Sequence, residues 1–283
     1  MDLNKENFYN QNRSYYDRNA YRYEAASWYY FNKYKNNAIY SELERSLQTI
    51  KKKSVIRVLE IGAGTGYLLG KLLTISSVKV DYTGIEHSIE MSNMLSQRYA
   101  ARCNSFRVIN TSVMVENLRA LKMEKYDLII GSSILHHLLD YKEVIITLSN
   151  MLVRYGVMYF VREPIHEDEC RPNNFFSDVL DLFYSYANSV LMLPLIRHLI
   201  WPRKVKAEDA TYIAYHMFKK GVSTNVFKEL VQNEYKIIFM RKYNRRVSSL
   251  LSYFENSWLR KFRKDIYGNT LWSIGLQRLT TKG

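Results

Sequence analysis

The chain has 283 residues, 47% of them hydrophobic, and a formal net charge of +14. That apolar content argues against a disordered polymer and suits one large α/β domain, or a domain with a substrate-covering insertion. Two cysteines far apart, Cys103 and Cys170, exclude a disulfide framework and a Cys/His metal cluster, so no metal is expected. No apolar run reaches the roughly 18 residues of a membrane span. The polar start, "MDLNKENFYNQNRSYYDRN", lacks the apolar centre of a signal peptide, which makes cytoplasmic the expected location. The positive charge fits an acidic substrate, a nucleic acid, an anionic membrane surface, or only a solvated basic surface. It concentrates in "RKYNRR" (241–246) and "RKFRK" (260–264).

Residues 1–50 are rich in tyrosine ("YYDRNAYRYEAASWYYFNKY") and are expected to form a helical cover. From 51 to 164 the chain alternates strand-like and helix-like stretches. "VIRVLEIG", "VKVDYTGIE", "FRVIN", "YDLIIGSS" and "GVMYFVREP" are apolar, β-branched runs. "SIEMSNMLSQRYAAR" and "KEVIITLSNMLV" carry helical spacing between them. Strands separated by helices imply a parallel sheet covered on both faces, and ligands of such sheets bind beyond the carboxyl ends of the strands. Residues 165–210 form an expected helical insertion, with Phe176, Val179, Leu180, Phe183, Ala187, Val190 and Leu191 on one face. Pro194 and Pro202 interrupt or end that helical run. Residues 211–283 are expected to complete the sheet, with "YKIIFM" and "LWSIGLQRL" as strands.

The segment "VLEIGAGTGYLLGKLL" (58–73) runs from strand through three glycines into helix. Gly62, Gly64 and Gly66 clear the backbone for a ligand, beside a helix N-terminus that suits polar or anionic groups. A dinucleotide turn needs G-x-G-x-x-G, and Tyr67 stands where its third glycine belongs, which disfavours a pyrophosphate.

Glu60, Gly62, Gly64 and Gly66 instead match acidic-x-G-x-G-x-G, and this stretch resembles the first motif of class I S-adenosylmethionine-dependent methyltransferases of the small-molecule type. Glu86 ends the second strand in "YTGIEHS", and "YDLIIGSSILHHL" is similar to the family's fourth-strand motif. The resemblance implies a Rossmann-like, doubly wound, mostly parallel seven-stranded α/β sheet, with S-adenosyl-L-methionine as cofactor. It further implies that Glu60 and the Gly62–Gly66 backbone, Ala63 included, hold the methionine end, and that Glu86 with His87 receives the ribose. Thr111 and Ser112 would sit by the adenine, in "NTS" where the family often has an acid. Ser132 completes the set from the fourth strand, and Tyr15 and Tyr16 match the place of a covering aromatic segment.

Each reading has a structural alternative. The glycines also suit a bare tight turn, and the tyrosines also suit packing against the sheet. His136 or His137 is a candidate general base for a hydroxyl acceptor, or else packs at the start of a helix. His216, alone in the apolar run "YIAYHMF", reads as core.

"GSSILHH" is not the N/D-P-P-Y/F turn of enzymes that methylate base amines or glutamine amides, and neither cysteine follows a proline. The implied reaction is methyl transfer to a hydroxyl or amine of a small metabolite: a lipid-like, sugar or natural-product intermediate in biosynthesis. The insertion would roof the acceptor pocket or dock on a membrane surface. An RNA or protein methyltransferase docking through its basic surface is the second expectation, and a non-catalytic cofactor-binding module the third.

Overall fold

A computed structural model of the chain describes residues 5–26, 33–50, 53–121, 124–166, 221–227, 235–243 and 271–279. Two helices come first, α1 (Lys5–Ala26) and α2 (Lys33–Thr49). The alternating core follows as β1 (Val55–Ile61), α3 (Tyr67–Ile75), β2 (Lys79–Ile85), α4 (Ile89–Tyr99) and β3 (Ser105–Ile109). It continues with α5 (Val115–Ala120), β4 (Tyr126–Ser132), α6 (Tyr141–Asn150) and β5 (Leu152–Pro164), and β6 (Tyr235–Tyr243) and β7 (Leu271–Arg278) complete it. The expected strands are all present. Short α5 was not anticipated, and the histidine pair opens no helix but lies in a single 3-10 turn, Leu135–His137.

One seven-stranded sheet holds them in the order β3-β2-β1-β4-β5-β7-β6. β1 to β5 run parallel, and β7 is antiparallel to both of its neighbours. The chain starts at β1 in the middle, works outward to β3, then returns to β4 on β1's other side. This reversal opens a crevice at the carboxyl ends of β1 and β4.

Alternation along the strands divides the core into two layers. Leu59, Ile61, Ile129, Met158 and Phe160 face α5 and α6 through Val115, Leu118, Val144, Ile145 and Leu148. Val58, Leu128, Ile130, Tyr159 and Val161 face the other way, against Ile39 and Leu43 of α2, Leu68, Leu69 and Leu72 of α3, and Leu95 of α4. Each such leucine, withdrawn from water, contributes roughly 1.5–3 kcal/mol, so both layers hold the strand ends firmly.

Glu42 fastens α2 to the sheet. Its carboxylate accepts the Tyr159 hydroxyl at 2.8 Å and the Ser273 hydroxyl at 2.9 Å, and pairs with Arg241 at 3.0 Å. The expected insertion lies outside the described residues beyond His166, with Phe183 and its apolar stripe. So do His216, Cys170, residues 244–246 of the first basic cluster and the whole of the second. Among the described residues no helix is long and apolar enough to cross a membrane, and no group of acidic, histidine or cysteine side chains could hold a metal ion.

Candidate active site

The turn after β1 is shaped by what each glycine must avoid. Gly62 has φ +59°, and a Cβ there would strike Ile134 at 2.5 Å. Gly64, at φ +55°, meets nothing within 4 Å, so its Cα faces open space. Left-handed backbone with no room beneath, or with room reserved above, selects glycine.

That open space is a cavity of about 600 Å³, its mouth included. Its floor is Gly62 and Gly64 from the β1 turn, Glu86 and His87 from the β2 turn, and Ser132 and Ser133 from β4. Its roof is α1, whose Tyr9, Asn12, Tyr16 and Tyr23 fall on one helical face. Met91, Val113, Ile134 and Leu138 supply apolar walls, and His137 reaches in beside them.

Glu86 ties the floor together. It accepts the Gly64 amide at 2.7 Å and the Ser88 amide at 2.8 Å, one on each carboxylate oxygen. Both turns are thereby held at fixed separation around a buried negative charge. α1 is seated by Asp17, which accepts the Ser88 hydroxyl at 2.7 Å and the Glu90 amide at 3.3 Å. An acid at the N-terminus of α4 is well placed against that helix's dipole.

The two histidines separate by role. His136 is buried, with Nδ1 2.9 Å from a Glu163 oxygen. Glu163, fully buried, also accepts the amides of Ile134 at 2.8 Å, Leu135 at 3.1 Å and His136 at 3.3 Å. It holds the whole 3-10 turn. His137, the next residue, turns its ring to the cavity, its Nε2 3.3 Å from the Tyr16 hydroxyl. Burial first, then the neighbouring imidazoles of His136 and His87, keeps His137 well below the usual histidine range, so it is neutral. Among the described residues, His137 Nδ1 and His87 Nε2 are buried without a hydrogen-bond partner, and both residues line this cavity. Orphaned buried nitrogens are costly in a closed protein and suit a polar ligand.

A bulge in β5 puts Glu163 where it is. The β5–β7 register slips between Val161 and Glu163, and Arg162 has φ +64°. Phe160 and Glu163, three apart, therefore face the same layer, while Arg162 turns to the other and donates to the Tyr67 hydroxyl at 3.0 Å.

Residues 59–158 match the family model described as "Methyltransferase domain". The chain carries a methyltransferase domain. Its family is that of the class I S-adenosylmethionine-dependent methyltransferases. Over 153 residues the chain is 28% identical to "Probable polyketide synthase 7" of Dictyostelium discoideum, covering 47% of this chain and 6% of that protein. The methyltransferase thus spans a small part of the length of that curated relative. Its fold is similar to a Galdieria sulphuraria protein named as a sarcosine dimethylglycine methyltransferase, with TM-score 0.50 and 15% identity over 88% of this chain and 86% of that one. The plantazolicin methyltransferase BpumL, solved with a pentazolic analogue and SAH, aligns at 14% identity and TM-score 0.49, over 95% of this chain and 100% of that one.

Of the residues picked out from the methyltransferase sequence, Gly62, Gly64, Glu86, His87, Ser132, Tyr16 and His137 meet at the cavity. Glu60, Ala63, Gly66, Thr111, Ser112, Tyr15 and His136 are not in its lining. Glu60 is buried, with its carboxyl against the Tyr82 hydroxyl at 2.7 Å; burial raises it to about 8. Thr111 Oγ1 and the Ser112 carbonyl accept from the Asn117 amide group, at 2.8 and 2.9 Å. A Cβ on Gly66 would meet Leu95 and Tyr99 at 2.6 Å, so this glycine lets α4 approach α3. Tyr9, Asn12, Tyr23 and Glu163 were missed. The first three share the 9-12-16-23 spacing with Tyr16, a signal present in the sequence. Glu163 gave none.

S-adenosylmethionine fits this methyltransferase site on its own geometry: an unfilled cradle over Gly64, a carboxylate at the second turn, and two unpartnered imidazole nitrogens facing inward.

Proposed function

We propose that this chain transfers a methyl group from S-adenosylmethionine to a hydroxyl or amine of a small metabolite held beside His137. Bound in the cavity, the cofactor would supply a methyl group already activated on a cationic sulfur. The chain's own residues do the rest. Glu86 and the Gly62–Gly64 backbone would hold and orient the cofactor, and the α1 tyrosines would exclude water above it. Positioning of this kind is worth roughly 7–11 kcal/mol of barrier in well-oriented reactions.

The observation that carries the proposal is His137: a neutral imidazole inside the cavity, with one buried nitrogen unpartnered. Such a group accepts the proton that a hydroxyl or ammonium acceptor must lose. The Glu163 carboxylate, by fixing the 3-10 turn, sets where that nitrogen stands. The polyketide synthase relative supports a natural-product intermediate as acceptor.

The test is transfer of radiolabelled methyl from S-adenosylmethionine into a fractionated small-molecule extract, with mass spectrometry of the labelled product. A labelled small molecule, absent with His137→Ala, is expected. Label appearing only in RNA or protein would overturn the acceptor class, and no label in any fraction would overturn the enzymatic reading.

A further inference from the structure

A second cluster of charge lies beside the cavity on the α2–α3 side. Lys71 of α3 is 7% exposed, and its ammonium sits 4.4 Å from the ring centre of Tyr40 and 4.6 Å from that of Tyr67. Arg162, 9% exposed, places its guanidinium 4.4 Å from the Tyr67 ring centre and donates to its hydroxyl. The cluster adjoins the ligand cavity at two points. Tyr67 follows the glycine turn directly, and the cavity-lining Ser133 donates to the Arg162 carbonyl at 3.1 Å.

Two cations brought together out of water repel, and aromatic faces offset only part of that cost. Burial, then the charge of Arg162, lowers the Lys71 amine to about 8. No carboxylate among the described residues forms an ion pair with Lys71. A point charge beside a planar fork of N–H donors, walled by two flat rings, matches a flat singly charged oxyanion.

We infer that Lys71 and Arg162, between Tyr40 and Tyr67, form a binding subsite for one carboxylate. That carboxylate has two sources. It is either the amino-acid end of the cofactor, an arm that rests on the function proposed above, or an acidic group on the acceptor.

The experiment follows the rate of reductive methylation of Lys71 at pH 8 in the full chain, read by peptide mass spectrometry, with calorimetry of S-adenosylhomocysteine in parallel. If the cofactor is the source, S-adenosylhomocysteine slows labelling at least fivefold and its decarboxylated analogue does not. Lys71→Met, which keeps an apolar stem between the rings, then weakens S-adenosylhomocysteine at least tenfold, and leaves the analogue unaffected. If the acceptor is the source, acetate slows labelling in the presence of saturating S-adenosylhomocysteine. The inference is overturned if neither the cofactor's carboxylate nor acetate changes labelling while calorimetry shows S-adenosylhomocysteine bound. Should calorimetry show no binding to the wild type, the proposed function fails, and the acetate arm alone decides the subsite.

Discussion

The carboxylate of Glu86 receives the amide of Gly64 at 2.7 Å, so the acid that ends β2 is the clamp on the turn that ends β1. Ligand site and backbone support are one group here. Glu86→Ala removes a charged acceptor from two amides and from any ligand hydroxyl beside them. We expect calorimetric affinity for S-adenosylhomocysteine to fall by about 1.5–3 kcal/mol. Unchanged affinity would remove Glu86 from the ligand site.

Gly64→Val should fill the open cradle and force a branched side chain into φ +55°. Ligand at 100 times its dissociation constant stabilises a protein by about 2.7 kcal/mol. The wild type should show that thermal shift and the variant none, while its sheet stays folded by circular dichroism. An equal shift in both would mean that the ligand does not lie over Gly64.

His136 and His137 should fail in different ways. His137→Ala is expected to lower the methyl-transfer rate by roughly 10²–10⁴ and to leave cofactor affinity near wild type. His136→Ala and Glu163→Ala should instead lower unfolding stability, the latter by about 3 kcal/mol because three amides lose their acceptor. Comparable stability loss for His137→Ala would make it a packing residue.

Glu60 makes stability depend on pH. Its folded acid titrates near 8, against an ordinary 4.5, because of burial. Between those values the folded chain holds a proton that the unfolded chain releases. Its contribution is therefore complete below pH 4.5 and lost as pH rises through 8, at up to about 1.4 kcal/mol per unit. Glu60→Gln, which imitates the protonated acid, should flatten that decline in denaturant titrations at pH 5, 7 and 9. Parallel curves for the two proteins would show an ordinary carboxylate.

Asp17→Ala should loosen α1 without touching the sheet. Losing one N-terminal cap partner costs about 1 kcal/mol, expected as faster ligand dissociation and earlier proteolysis near residue 20. Dissociation at the wild-type rate would show that α1 is held by other contacts.

The sheet was legible because its strands are short apolar runs bounded by turns, and burial on both faces leaves little else for them to be. The glycine turn and Glu86 were legible as a motif. Contacts across long separations were not. Asp17 looks like any acid on a polar helix, and its partners Ser88 and Glu90 are more than 70 positions away. Glu163 reads as a solvent-facing charge near a strand end, since nothing local announces the bulge that turns it inward. Glu60 matched the motif, yet its described contact is with Tyr82, whose hydroxyl no spacing rule places there.

The irregularity at Arg162 makes β5 behave like a text with one inserted letter: everything after it is read in the opposite phase. Replacing that letter keeps the phase, so many side chains at 162 should leave Glu163 beneath the 3-10 turn. Removing it would exchange a carboxylate and an apolar side chain between the two layers at once. The usual order of tolerance in strands is then steepened at this one position, where substitutions survive and single-codon deletions do not. Natural variation in β5 should show the same asymmetry, with position 162 varying in identity but not in number.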